Sequence, residues 1–239
     1  LMRYLASVSY DGSKFYGFQK LNNHKTVQQC LEQAISKINK KSVAVKGAGR
    51  TDRGVHALGQ GISFDLDVNV PIDRLKKAIN SLLDDAIYIR DIKEVDDNFH
   101  ARFSAKKKIY EYVINLGEYD AIRNDYLYNY NRSLDVKEMK KAAKKLEGAH
   151  SFKAFTSGER DNYNSIIYSI KIKKEKNLLI ITFEGKSFYR YMVRNMVGVL
   201  IGVGAKKISV DILNDMFEGK NVTYQTAPAC GLYLREVFY

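Results

Sequence analysis

The chain reads as a mixed α/β protein of the α+β type: two β-α-β-β-α-β-like halves, residues 1–103 and 104–239, sharing a mostly antiparallel mixed sheet. Three observations predict this class. Stretches of alternating apolar and polar residues recur in both halves, each half sets two helix-period stretches among them in the same order, and no low-complexity linker parts the halves. The halves show no residue-level self-similarity, so what repeats is the order of elements.

In the first half, "MRYLASVSY" alternates as a strand and stops at "DGS", a turn signal. "TVQQCLEQAISKI" opens with Thr26 as N-cap and Gln29 three residues later, the signature of a capping box before a helix. "KSVAVKGAG" and "GQGISFDLDV" read as strands on either side of a glycine-rich loop. "PIDRLKKAINSLL" reads as a helix with Pro71 at its start, followed by the strand "AIYIRDI". After "FHARFSAKKK" the order begins again: strand "IYEYVINL", helix "DVKEMKKAAKKLEG" ending near Gly148, then strands "IIYSIKIKK" and "LLIITFEG". The apolar helix "FYRYMVRNMVGVLIGVGA" and the strand "GLYLREVFY" close it.

A length of 239 residues, 45% hydrophobic and 28% charged with only two prolines, is ordinary for a globular protein and excludes long disorder. The net charge of +12 attracts polyanions, so nucleic acid or an anionic membrane is the natural partner. Residues 1–103 hold sixteen basic against twelve acidic side chains, a net of +4, and residues 104–239 hold the remaining +8. Cys30 and Cys230 lack metal-site spacing and read as free buried thiols suited to a reducing, cytoplasmic setting. No apolar run has the length of a membrane span, and no basic amphipathic anchor with a bulky apolar face is present.

The loop "GAGRTDRGVHALGQ" sets Asp52 between Arg50 and Arg53 in a basic chain. A dinucleotide fingerprint would need glycine where Asp52 stands, and no P-loop pattern occurs. A lone loop aspartate ordinarily caps a helix or closes an Asx turn. Two flanking arginines open a second reading, because nearby positive charge favours the ionised form and keeps a carboxylate available as nucleophile or base.

Two further stretches stand out. In "SFYRYMVRNMVGVLIGVG", Arg190 and Arg194 lie one turn apart on an otherwise apolar helix, with Gly198 and Gly202 permitting close backbone approach. A buried guanidinium requires an anion, either a protein carboxylate or an RNA phosphate, unless its stem snorkels to solvent; Arg194 lies deeper in the apolar run than Arg190. In "ARFSAKKKIYEYVIN", Arg102 and the run Lys106, Lys107 and Lys108 precede Tyr110 and Tyr112, which share a strand face. Basic residues beside aromatics make a base-stacking platform, although a solvated charge run next to core tyrosines gives the same pattern.

Six segments in order, "YDGSKFYGFQ", "GAGRTDRGVHALGQ", "FHARFSAKKKIYEY", "LEGAHSFKAF", "SFYRYMVRNMVG" and "APACGLYLREVFY", resemble motifs of the TruA family of tRNA pseudouridine synthases, and the resemblance covers nearly the whole chain. It implies the pseudouridine synthase fold, isomerisation of uridine to pseudouridine in structured RNA, a homodimer, and neither cofactor nor metal. By the same resemblance Asp52 is the catalytic aspartate, Arg194 its ion-pair partner, Tyr110 the tyrosine packed on the uracil, Arg50 the arginine that displaces the target base, and Leu232 an apolar wall. Arg53, Arg190 and Lys108 are expected to bind the RNA. Three departures bear on the target: Arg53 stands where the family usually has a small residue, Tyr189 where an aliphatic is common, and "YNSIIYSIKI" lacks an expected arginine. The resemblance points to the tRNA anticodon stem-loop; ribosomal RNA, or RNA binding without catalysis on this scaffold, are the alternatives.

Overall fold

Alternation in the amino-terminal segment is realised as β1, Met2–Tyr10, with Tyr4, Ala6, Val8 and Tyr10 buried. The computed structural model describes residues 1–220 and 222–239, and the chain divides into two units, Leu1–Lys106 with Tyr233–Tyr239, and Lys107–Leu232. The architecture is mixed α/β.

In the first unit the elements run β1, α1 (Val27–Asn39), β2 (Lys46–Gly47), β3 (His56–Leu66), α2 (Ile72–Leu82) and β4 (Ile87–Val95). The sheet order is β4-β1-β3-β10, where β10 is the closing strand Leu232–Phe238; β1 pairs antiparallel with β3 and β4. Sequence order alone runs the closing strand with the second half. Parallel pairing of Tyr233 with His56 and Leu234 with Ala57 instead brings its residues from Tyr233 onward into the first unit's sheet.

Helix α1 follows from its sequence. Thr26 accepts from the Gln29 amide at 3.4 Å, and Val27, Leu31, Ala34 and Ile35 recur at helical spacing and are buried. Burying each larger apolar side chain contributes about 1.5–3 kcal/mol, so Leu31→Ala would cost about 2–5 kcal/mol with its cavity.

The expected strand over residues 41–49 shrinks to Lys46–Gly47. Its valines are buried as alternation requires, but their backbone is satisfied by α1 side chains. Val43 N–H donates to Ser36 Oγ at 2.9 Å, Val45 N–H to Glu32 Oε1 at 3.2 Å, and Gln28 Nε2 donates to the Val45 carbonyl at 2.9 Å.

The second unit contains β5 (Lys107–Asn115), β6 (Tyr128–Asn129), α3 (Val136–Leu146), β7 (Gly148–Ser151), β8 (Asn164–Glu175), β9 (Leu178–Gly185), α4 (Met192–Gly204) and α5 (Ile212–Phe217). Strands β5, β9, β8 and β7 pair antiparallel in that order, and β6 adds to β5 in parallel. Helix α3 is capped by Asp135, which accepts from the Glu138 amide at 3.2 Å, and it packs on α4 and β8. The short elements β6, β7 and α5 lack a period long enough to read from sequence.

Helix α4 begins later than expected. Tyr191 has φ 63°, a left-handed conformation costing about 1–2 kcal/mol for a non-glycine residue, so residues 188–191 do not join the helix and Arg190 precedes it. Cys30 and Cys230 are free, but half-buried rather than buried. No helix of the described residues is long and apolar enough to cross a membrane.

Candidate active site

The first unit presents the segment Arg50-Thr51-Asp52-Arg53 between β2 and β3. Asp52 is half-exposed and both arginines are exposed, while Thr51 is buried and anchors the loop. Thr51 Oγ1 lies 2.7 Å from the Tyr10 hydroxyl, and the Thr51 carbonyl accepts from Phe18 N–H at 3.0 Å. Gln60, fully buried, donates from Nε2 to the Gly49 carbonyl at 2.9 Å. Burial pushes the Tyr10 hydroxyl up to about 12, so it remains a neutral hydrogen-bonding group.

Past the aspartate, Val55 N–H donates to the Asp52 carbonyl at 3.1 Å and Gly54 N–H to the Gly12 carbonyl at 3.3 Å. Gly12 N–H donates to His56 Nδ1 at 3.0 Å, which therefore accepts there. His56 Nδ1 also lies 3.3 Å from Asp11 Oδ1; the shorter, directed amide bond decides the local geometry. A Cβ on Gly12 would lie 1.9 Å from the Val55 carbonyl oxygen, so only glycine permits this approach. The result is a carboxylate on a short loop fixed at both ends, with a guanidinium on either side in sequence.

In the second unit, even-numbered residues of β5 face inward: Lys108, Tyr110, Tyr112 and Ile114 are buried. Lys107 points the other way and pairs with Glu184 at 2.8 Å. The charge run is therefore split by the strand, with Lys106 exposed, Lys107 half-buried in an ion pair and Lys108 buried. Tyr110, 7% exposed, meets Phe188 edge-on at 5.0 Å. Tyr112 donates its hydroxyl to the Pro228 carbonyl at 2.7 Å, and burial raises its pKa well above the usual tyrosine value.

Arg194 is half-buried near the start of α4, and its Nε donates to the Ala227 carbonyl at 2.8 Å while Ala227 N–H returns a bond to the Arg194 carbonyl at 3.1 Å. Asn195 reinforces the same segment: its Oδ1 accepts from Thr226 Oγ1 at 2.7 Å and its Nδ2 donates to the Phe155 carbonyl at 2.8 Å. Gly198 lets the segment close in, since a Cβ there would sit 1.9 Å from the Gln225 carbonyl oxygen. Arg190 is exposed. The guanidinium carbons of Arg190 and Arg194 each lie 5.1 Å from the centroid of Tyr191, so the left-handed tyrosine gathers the two arginines that helical spacing was expected to align. Leu232, 5% exposed, opens β10.

The family model described as tRNA pseudouridine synthase matches residues 6–104 and 142–239, which include the Asp52 loop, Arg190, Arg194 and Leu232. The chain belongs to the tRNA pseudouridine synthase family.

Relatives in this synthase family extend over its full length. The tRNA pseudouridine synthase A of Thermosipho melanesiensis is 40% identical and covers 100% of both chains. That of Pseudothermotoga lettingae is 41% identical over 99% of each, and that of Mycoplasmoides gallisepticum 39% identical over 98% of this chain and 90% of its own. Among solved structures, a chain of a Cbf5-Nop10-Gar1 complex aligns with TM-score 0.37 and 10% identity over 82% of this chain and 54% of that one, a likeness too distant to add to the assignment.

The first unit thus holds Arg50, Asp52 and Arg53 on one loop of this synthase, and the second holds Lys108, Tyr110, Arg190, Arg194 and Leu232. Sequence reasoning missed Asn195, which clamps residue 226, and Tyr191, which collects the arginines. Asn195 carried a signal, a polar residue inside an apolar helix; the conformation of Tyr191 carried none. Among the described residues, no group of His, Cys, Asp or Glu side chains is arranged to hold a metal ion.

Proposed function

We propose that this chain isomerises uridine to pseudouridine in tRNA, with Asp52 as the reacting carboxylate. The observation that carries the reading is a half-exposed carboxylate, flanked in sequence by two exposed arginines on a loop fixed at both ends, in a chain whose family relatives match it end to end.

The reaction takes the target uridine out of its stack, breaks N1–C1′, turns the uracil and joins C5 to C1′, with the C5 hydrogen lost and N1 protonated. Asp52 acts as nucleophile or as base, and either route needs the ionised carboxylate. Arg194 pairs with it and orients it, Tyr110 packs on the detached uracil, and Arg50 displaces the base. Leu232 supplies apolar surface that keeps water from the open glycosidic centre. Arg53, Arg190 and Lys108 meet RNA phosphates, in keeping with the net charge of +12.

The enzyme works as a cytoplasmic homodimer on structured RNA, without metal or cofactor. The names of its relatives favour tRNA over ribosomal RNA, and a pure RNA binder has no use for a carboxylate facing phosphates. Mapping pseudouridine across tRNA and ribosomal RNA in cells with and without the gene tests this. Uridines of tRNA should lose the modification when the gene is deleted. Unchanged tRNA would overturn the reading.

A further inference from the structure

Beside Asp52 the first unit carries a stack of planar side chains, two of which have no role in the chemistry above. The rings of Tyr16 and His24 lie 4.0 Å apart at an interplanar angle of 9°. The guanidinium carbon of Arg53 stands 4.6 Å from the Tyr16 centroid. All three side chains are exposed, Tyr16 to 42%.

The stack is built by the backbone. Tyr16 N–H donates to the Lys25 carbonyl at 2.8 Å, closing the loop that returns His24 to Tyr16. The next residue touches the catalytic loop directly: a Cβ on Gly17 would meet the Thr51 carbonyl oxygen at 2.9 Å and the Arg53 nitrogen at 3.3 Å. Phe18 N–H then bonds to the Thr51 carbonyl at 3.0 Å. Tyr16 is therefore fixed relative to the Asp52 loop, and Arg53 follows Asp52 with Cα atoms about 3.8 Å apart.

We propose that this stack seats the nucleotide next to the target uridine, its base extending the Tyr16–His24 stack and its phosphate meeting Arg53. The inference rests on the reading of Asp52 as the group that acts on that uridine. Flipping a uridine deprives its neighbour of a stacking partner, and a protein ring supplies a replacement. A guanidinium already parked on an aromatic ring loses little freedom on meeting a phosphate. A nucleotide satisfies both features, because it presents a planar base and an anionic phosphate in one ligand.

The test uses the intact enzyme and full tRNA transcripts carrying 2-aminopurine on one or the other side of the target uridine. Binding should quench the fluorophore at one of the two positions through stacking, and Tyr16→Ala should abolish the quench while Tyr16→Phe keeps it. The KM for tRNA should rise about five- to hundred-fold in Tyr16→Ala, the equivalent of one lost base–aromatic stack. An abasic nucleotide at the quenched position should produce a similar loss in wild type and little further loss in Tyr16→Ala. Arg53→Ala, which leaves the rings in place, should weaken binding but retain part of the quench, and it keeps the test open if Tyr16→Ala fails to fold. Quenching is read without turnover, so an absence of pseudouridine with wild-type enzyme would indict the reaction and not the stack. A folded Tyr16→Ala variant with unchanged quench and KM would overturn the proposal, as would equal sensitivity of wild type and Tyr16→Ala to the abasic nucleotide.

Discussion

Gly12→Ala should cripple catalysis while leaving a folded, RNA-binding protein. The new methyl would lie 1.9 Å from the Val55 carbonyl oxygen, whereas real Cβ contacts essentially never fall under 3.0 Å, so the two backbones must part by about 1.1 Å. Gly12 holds the loop through its carbonyl, which accepts from Gly54 N–H, and through its amide, which donates to His56 Nδ1. Val55 in turn donates to the Asp52 carbonyl at 3.1 Å, so the displacement reaches the carboxylate through one hydrogen-bonded turn. Misplacing a reacting group by about 1 Å costs on the order of a hundredfold in rate, or about 2.7 kcal/mol. Overpacking should cost a further 1–3 kcal/mol of stability, roughly. The assay is kcat and KM on tRNA with wild type and variant, beside denaturant unfolding and a tRNA binding isotherm. We expect kcat/KM to fall about a hundredfold with Kd for tRNA changed no more than several-fold. A folded variant with wild-type kcat/KM would refute the chain from Gly12 through Val55 to Asp52.

Arg194→Met should reduce kcat more than it reduces stability, since methionine fills the half-buried position while the bond to the Ala227 carbonyl and the cation proposed to pair with Asp52 are lost; Arg190→Met at its exposed site should instead weaken tRNA binding. Kinetics and isotherms on the pair check this. Affinity for tRNA should fall steeply between low and physiological salt, because binding to a chain of net charge +12 releases counterions from the RNA, and a flat profile would contradict an extended interface. Tyr10 keeps its proton to about pH 12 when folded and to about 10 when unfolded, so its contribution, of order 3 kcal/mol, is full below pH 10 and is lost as pH rises towards 12. Denaturant midpoints across that window should fall in wild type and fall less in Tyr10→Phe.

What could be read from sequence divides along a physical line. Helix α1 was legible because its cap and its apolar period are local, and Thr26 and Leu31 do what their spacing suggests. The strand around Val43 and Val45 was legible as burial but not as pairing, since the partners of its backbone are Ser36 and Glu32 on a helix. The Asp52 loop announced itself because the carboxylate and both arginines lie within four consecutive residues. The start of α4 did not, since no pattern signals that Tyr191 adopts a left-handed conformation. Tyr16 and His24 are brought together where the Tyr16 amide reaches the Lys25 carbonyl, a closure that no period or turn pattern in residues 16–25 signals. Pairing of Tyr233 with His56 likewise joins residues far apart in the chain, which element order cannot foresee.

Release of the C5 hydrogen tests the central claim most directly. Joining C5 to C1′ expels that hydrogen, so tRNA carrying tritium at C5 of uridine releases label to water only when isomerisation proceeds. Wild-type enzyme without added metal or cofactor should release it, and Asp52→Asn should release none while binding tRNA within several-fold of wild type, because the amide keeps the shape and loses the reacting carboxylate. Release by Asp52→Asn at the wild-type rate, or none by the wild-type enzyme on tRNA, would contradict the account.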